Sequence, residues 1–510
     1  LPKTFLLIAS LFVVMVLCAP AGAPAAEPNG LGTYAYREMG NHPTRDAMLN
    51  LAVDSGANWI REEFNWSWIQ PSQGEYDATR LAQYDALVDA ARARGLNILG
   101  VIAYGTDWAT GGQAPNRQEH YQAFAEYVRF LVDRYRGRVT HWQIWNEPNQ
   151  SRFWEPAPSA GNYAQLLSHA YQAAKSVDGG VTIVGMGTAG VDLEYMDQVL
   201  KAGGGAHLDA VAVQPYPTPS SLEGSDYYTL IAGLRDLLAA YGATKPIWIT
   251  EIGHSLYGGH EGVSADKQAR FLARDYLSAR QLGVERVFWY DLRDDGDDPA
   301  NREHRFGLTD RSLNPRPSYS ALQTLTRVVG GAELAANHTD GARWALEFAH
   351  GDGSRVLALW YTATDGSSPS EWATVRLPGS VDEVAGLTGG AVNHSYDGQN
   401  LEVPVSGSVV YVRGNFSFGG FSGEPAGEGG IGEVGDTTIP GDGRTINDLI
   451  NQARDWVDDN ISQEQQDALE DAADDVGDAA QDVKEAIEDK TGTDLDEVVD
   501  DIKDAWDSLW

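Results

Sequence analysis

Between residues 30 and 330 the chain alternates two kinds of pattern. Short, nearly continuous apolar runs are followed by longer stretches in which apolar residues recur every three or four positions. The first pattern is that of a strand buried on both faces, the second that of a helix with one buried stripe. The runs predict strands at residues 30–39, 59–66, 97–105, 140–149, 182–187, 209–216, 245–254 and 285–292. The stretches predict helices at 46–58, 78–94, 120–135, 162–177, 194–202, 229–241, 265–282 and 314–329. Eight strand–helix units predict an α/β fold closed into a (β/α)8 barrel, for which about 250 residues is usual and insertions are common. A doubly wound open sheet is the alternative, but no Gly-rich phosphate turn follows the first strand.

After residue 330 the texture changes. The runs 343–348, 355–360, 374–377, 381–385 and 409–412 are short, rich in β-forming residues and separated by Gly, Asp and Ser. They predict a small antiparallel β-sandwich over 331–415 behind a barrel domain of 27–330. Residues 416–443 are Gly-rich, as a flexible linker is. Residues 444–510 regain helical spacing (Ile446, Leu449, Ile450, Ala453, Trp456, Val457) with acidic outer faces, which predicts an amphipathic helical tail.

Charge sharpens this division. The formal net charge is −36. Residues 443–510 hold 22 acidic and 5 basic residues, so nearly half of the excess sits in the last seventh of the chain. Such a balance argues against nucleic acid and anionic membranes as partners. It leaves the tail as either a docking surface for a protein or basic cell-surface partner, or a solvated appendage. The single cysteine, Cys18, allows neither an intrachain disulfide nor a cysteine-based metal site. It lies in an N-terminal segment with Lys3, an apolar run from Phe5 to Leu17 and a small-residue zone, which reads as a secretory signal over 1–26. A lipidated Cys18 and a retained anchor are the rival readings. Bulky Leu17 argues against the first and the shortness of the run against the second. The expected location is therefore secreted or extracytoplasmic, with attachment to the cell envelope left open.

The candidate chemistry lies at two strand ends. Strand four runs through Trp142, Ile144 and Trp145 into Asn146, Glu147, Pro148 and Asn149. Strand seven runs through Trp248 and Ile249 into Glu251, Gly253 and His254. In a closed eight-stranded barrel these ends face each other across the C-terminal mouth, where active sites of the fold lie. Two carboxylates so placed suit glycosidic bond cleavage, one protonating the leaving oxygen while the other attacks the anomeric carbon. Their surroundings must then push their pKa values apart. Tryptophans flank Glu147, whereas Glu251 needs donors. Aromatics in predicted mouth loops, Tyr104, Trp108, Trp154 and Tyr257, together with Trp66 and Trp68 after strand two, suggest a cleft for more than one sugar ring. Trp108 and His254 are read as cleft-lining. The loop 291–298 holds five aspartates, but their spacing is not that of an EF-hand, and a solvated loop is expected.

The stretches Trp145-Asn-Glu-Pro-Asn149 and Ile249-Thr-Glu-Ile-Gly253 resemble the acid/base and nucleophile signatures of the retaining glycoside hydrolases of clan A, nearest to family 39 and its family 5-like neighbours. The resemblance covers about residues 31–415. It implies Glu147 as the general acid/base, Glu251 as the nucleophile and Asn146 as a hydrogen-bonding partner of the sugar 2-hydroxyl. Arg61 resembles the strand-two arginine beneath the nucleophile, Tyr216 the strand-six tyrosine that hydrogen-bonds it, and Trp289 the strand-eight tryptophan under the sugar. Many relatives carry histidine two residues before that tyrosine, where this chain has Gln214. The implied activity is hydrolysis of O-glycosidic, β-type bonds of an oligo- or polysaccharide, with neither metal nor organic cofactor. A transglycosidase and a non-catalytic carbohydrate-binding barrel are the rival readings.

Overall fold

The computed structural model describes residues 30–422 except 34, 39 and 363–370. The predicted signal segment and acidic tail lie outside the described residues, as does most of the predicted linker. Eight parallel strands close into a barrel in sequence order: β1 (Gly30–Gly32), β2 (Trp59–Asn65), β3 (Asn97–Ala103), β4 (His141–Ile144), β5 (Thr182–Ala189), β6 (Ala210–Gln214), β7 (Ile247–Ile252) and β8 (Arg286–Tyr290). The intervening helices are α1 (His42–Asp54), α2 (Ala78–Ala93), α3 (Gln118–Arg134), α4 (Ala160–Val177), α5 (Leu193–Lys201), α6 (Asp226–Ala240), α7 (Ala265–Gln281) and α8 (Pro317–Val329). The predicted (β/α)8 barrel is the fold of the chain. A single helical turn, Trp66–Ile69, extends β2, and another, Asp107–Thr110, follows β3.

Several strands are shorter than the apolar runs that announced them. β1 stops at Gly32, and residues 35–38 form one 3-10 turn rather than more strand. β4 stops at Ile144 rather than at Pro148, because Trp145 takes φ 70° and Glu147 φ 45°. Neither is a glycine, and this left-handed region costs an ordinary residue about 1–3 kcal/mol. Backbone bonds hold the turn in place, from Trp145 N–H to the Ile102 carbonyl at 2.9 Å and from Glu147 N–H to the Gly187 carbonyl at 2.9 Å.

The barrel interior is layered. At its base the rings of Trp59, His141, Trp248 and Phe288 meet edge-on or stacked, with centroids 4.7–6.3 Å apart. The Arg286 guanidinium lies 4.3 Å from the Trp59 ring centroid. Above this plug the side chains turn polar. Arg61 and Gln143 are both buried, and Arg61 Nε donates to Gln143 Oε1 at 3.4 Å. The interior thus changes from apolar to polar on rising toward the mouth.

Two antiparallel sheets follow. One has the order β13-β16-β11-β10-β9, from β9 (Glu333–Asn337), β10 (Arg343–Ala349), β11 (Arg355–Tyr361), β13 (Gly379–Ala385) and β16 (Val410–Phe416). The other, β14-β15-β12-β17, comprises β12 (Glu371–Arg376), β14 (Ser395–Tyr396), β15 (Asn400–Val405) and β17 (Phe421–Ser422). They share a core of alternating residues such as Leu357, Leu359, Val375, Leu401, Val403 and Val412. β17 falls inside the stretch read as linker, where Phe421 packs against this core.

Glu223, in the turn after β6, ties barrel to sandwich. Its side chain is fully buried and pairs with Arg274 of α7 at 2.5 Å. It also accepts from Ser278 Oγ at 3.1 Å and from the Trp360 indole N–H of β11 at 3.1 Å. Removing one member of a buried ion pair leaves the other charge uncompensated. Glu223→Ala is therefore expected to lower stability by about 3–5 kcal/mol, read by urea denaturation, while a substitution at exposed Glu303 changes it little.

Candidate active site

At the C-terminal mouth of the barrel lies a cavity of about 560 Å³. Glu147, from the turn after β4, and Glu251, at the end of β7, both line it. The wall also includes Glu63, Tyr104, Asn146, Gln214, Tyr216 and Tyr290 from strand ends, and Arg37, Arg152, Glu261, Arg302 and Glu303 from loops.

Each motif residue has a local reason. Asn149 clips the β4 turn to the end of β5: its Nδ2 donates to the Ala189 carbonyl at 3.1 Å and to Asp192 at 3.0 Å, and its Oδ1 accepts from Ala189 N–H at 2.9 Å. Trp145 buries its ring against Trp154 and donates its indole N–H to the Phe153 carbonyl at 3.1 Å. That bond fixes the loop that carries Arg152 to the cavity rim. In β7 the register with β8 shifts between Ile249 and Ile252, the interval that holds Glu251. Such irregularities re-aim a side chain next to a site. Gly253 follows because a Cβ there would lie 2.1 Å from the Tyr290 carbonyl oxygen.

The two carboxyl groups have opposite surroundings. Both oxygens of Glu251 accept short hydrogen bonds, from Arg61 Nη1 at 2.6 Å and from the Tyr216 hydroxyl at 2.6 Å. A cation and a second donor are what a carboxylate anion requires. Burial, and next the charge of Glu251, hold the Tyr216 hydroxyl well above its usual pKa, so it stays a donor. Glu147 instead is pushed up to about 8, chiefly by burial and then by the negative charge of Glu251, against a smaller opposing pull from Arg61 and Arg152. An acid kept protonated beside an anion is the division of labour that two-carboxylate catalysis needs.

Arg61 joins the pieces. Besides Glu251 and Gln143, it donates from Nη2 to Asn146 Oδ1 at 2.8 Å. With three acceptors a fully buried guanidinium is tolerable. Tyr104 donates to Glu63 Oε1 at 3.0 Å, which fixes that carboxylate against the wall.

Of the residues expected at the site, Glu147, Glu251, Asn146 and Tyr216 line the cavity, and Arg61 lies directly behind them. Three others do not line it. Trp289 is fully buried, outside the barrel interior and against His254, because Phe288 and Tyr290 take the inward positions of β8. Tyr290 is the strand-eight aromatic at the mouth. His254 is fully buried and hydrogen-bonded to Asp275 of α7 at 2.8 Å and to Thr218 at 3.1 Å, so it fastens the β7 loop to a helix. Trp108 packs edge-on against Trp66 and donates to the Gln70 carbonyl at 2.9 Å, clamping two loops together. The aspartate loop is tied down by arginines rather than simply solvated. Asp294 is buried and paired with Arg316 at 2.5 Å, and Asp295 pairs with Arg37. Tyr290, Gln214, Glu63 and the rim arginines were missed as site residues. Glu63 alone had a usable signal, since it shares with Arg61 the inward alternation of β2.

The closed parallel barrel, taken with the family match over residues 20–290, makes the chain a clan A glycoside hydrolase, an enzyme acting on O-glycosyl compounds. The chain belongs to the cellulase family, glycosyl hydrolase family 5, whose model matches residues 20–290, more than half of its length. No curated protein matches the chain by sequence. Among solved structures it is similar to a family 39 glycoside hydrolase from the gut symbiont Bacteroides cellulosilyticus WH2, with a TM-score of 0.64 and 23% identity over 76% of this chain and 81% of that one. It is also similar to a monomeric beta-xylosidase from Caulobacter crescentus CB15 (TM-score 0.55, 16% identity, 77% and 97% covered). A third is the GH39 enzyme from Xanthomonas axonopodis pv. citri (0.54, 16%, 78% and 95%). At these identities the likeness is one of fold.

Proposed function

We propose that the protein is a retaining glycosidase that cleaves β-linked neutral saccharides outside the cytoplasm, with Glu251 as nucleophile and Glu147 as acid/base. The observation that carries this reading is the opposed environment of the two glutamates within one cavity. In the first step a Glu251 oxygen bonds to the anomeric carbon as the glycosidic C–O bond breaks, and the Glu147 proton passes to the leaving oxygen. A glycosyl ester now joins sugar and Glu251. In the second step Glu147, ionised, takes a proton from water, whose oxygen attacks the anomeric carbon and releases Glu251. Two displacements at one carbon retain its configuration.

Rim arginines and glutamates in comparable number, with tyrosine hydroxyls between them, favour a hydroxyl-rich neutral sugar over an anionic one. The family name and the xylosidase-type fold neighbour make aryl β-glucosides and β-xylosides the first substrates to try. Export rests on the N-terminal segment, and a partner for the acidic tail on its charge alone.

Proton NMR of the first product formed from an aryl β-glycoside is expected to show the β-anomer before mutarotation. An initial α-anomer would sink the retaining mechanism. Transfer to an added acceptor sugar in preference to water would make the enzyme a transglycosidase.

A further inference from the structure

The amide of Gln214 is fully buried between Asn146 and Glu147, and no role in the reaction follows from Glu147, Glu251 and Arg61 alone. It has two orientations half a turn apart, which its hydrogen-bond partners distinguish. In the first, Nε2 donates to Asn146 Oδ1 at 2.8 Å and the amide oxygen faces Glu147 Oε1. In the second, Nε2 donates to Glu147 Oε1 at 2.8 Å, and the oxygen comes 2.8 Å from Asn146 Oδ1 and 3.3 Å from Arg61 Nη2.

Arg61 decides between them. A guanidinium only donates, and its Nη2 lies 2.8 Å from Asn146 Oδ1, so that atom is an acceptor. The second orientation would then set two acceptor oxygens 2.8 Å apart with no proton between them. What the second orientation offers in return is a donor to Glu147 as an anion and a long contact of 3.3 Å from Arg61 Nη2 to the amide oxygen. With Glu147 protonated the first orientation pairs both ends of the amide, Nε2 donating to Asn146 Oδ1 and the oxygen accepting from the carboxylic O–H, at 2.8 Å each. The polarity of the whole chain, Arg61 to Asn146 to Gln214 to Glu147, follows from its cationic end.

We propose that Gln214 is a positioning residue that holds Glu147 in its acid form, by presenting to it a carbonyl oxygen and no donor. This rests on the acid/base role given to Glu147 above. A hydrogen bond accepted from the neutral form favours that form. It acts in the same direction as burial, the leading cause of the raised Glu147 pKa. The other charged groups that act on Glu147 are Glu251 from β7, Arg61 from β2, Arg152 from its own loop and Glu303 from the loop after β8. Tyr216, after β6, feels the charge of Glu147 in turn. The two arginines pull against the acid form, so the amide acts beside burial and the two glutamates rather than alone.

The test is the pH dependence of kcat/KM for Gln214→Met, close in shape but without the acceptor. The basic limb is expected to move down by roughly one pH unit. The loss at pH 7 should be larger for a methoxyphenyl glycoside, whose leaving oxygen needs a proton, than for a 2,4-dinitrophenyl glycoside, whose does not. Gln214→His is expected to restore the limb, since a neutral imidazole can donate to Asn146 from one nitrogen and accept from Glu147 at the other. Gln214→Asn, whose amide falls one methylene short of Glu147, should shift the limb as the Met variant does and serves if that variant does not fold. An unmoved basic limb in a folded Met or Asn variant overturns the proposal, as does a loss equal for both leaving groups. The acid/base reading is tested separately by Glu147→Gln: if that variant keeps the basic limb and the leaving-group dependence, the reading itself fails.

Discussion

Glu251→Gln is expected to lose on the order of 10⁴-fold or more in kcat/KM on an aryl β-glycoside, about 5 kcal/mol or more of transition-state stabilisation. An amide of the same shape cannot form the glycosyl ester. The substitution also strips Arg61, 1% exposed, of its carboxylate partner Glu251 at 2.6 Å. Stability should fall with activity, since breaking a buried pair typically costs about 3–5 kcal/mol. Kinetics alone could therefore mistake unfolding for lost chemistry, and Glu251→Ala with azide separates the two. The smaller side chain leaves room for the anion, which attacks the anomeric carbon where the carboxylate did, and an activated β-glycoside gives the α-glycosyl azide. Recovery of rate with azide shows a folded enzyme lacking only its nucleophile. Full activity in Glu251→Gln would exclude the residue from the mechanism.

Glu147→Gln should divide by substrate and by pH. Loss of a general acid costs about 10²–10⁴-fold where the leaving group needs a proton, and much less for dinitrophenolate. The wild-type basic limb near pH 8 should vanish with it. The same substitution is expected to stabilise the protein. Glu147 titrates near 4.5 when unfolded and at about 8 when folded, so between those pH values the native state binds the extra proton. Wild-type stability therefore falls as pH rises through this window, and the Gln variant lacks that slope. The two should match below about pH 4.5 and differ fully above about pH 8. Partial exposure of Glu147 and its coupling to Glu251 reduce the linkage to on the order of 2 kcal/mol. Urea melts of both proteins at pH 4.5, 6 and 8 read the difference, and parallel pH curves would contradict the raised pKa.

The order of the barrel and both glutamates were legible because the spacing of apolar residues reports burial and the two motifs sit at equivalent strand ends. What was not legible turned on parity and direction. In Phe288-Trp289-Tyr290 three aromatics occur in a row, so composition cannot say which of them point inward. That depends on register with β1 and β7, and the structure places Trp289 outside and Tyr290 at the mouth. His254 follows Glu251 by three residues, yet the chain has already turned toward α7, where Asp275 awaits it. Gln214 was noticed only as a departure from the usual histidine. Its meaning lies in the donors and acceptors around it, which come from strands far apart in sequence. β4 was drawn too long because no apolar pattern reveals that Trp145 and Glu147 leave the extended region.

Those two left-handed residues bear on any attempt at directed evolution. Glycine accepts such a backbone freely, and an amide at position 147 escapes the cost of a buried carboxyl. A library screened for heat tolerance alone should therefore drift toward glycine or glutamine at 147, while the buried ring of Trp145 holds its place, and discard turnover on the way. Paired selection, with heat challenge followed by growth on the released sugar, would be needed to keep the turn that nature left under tension.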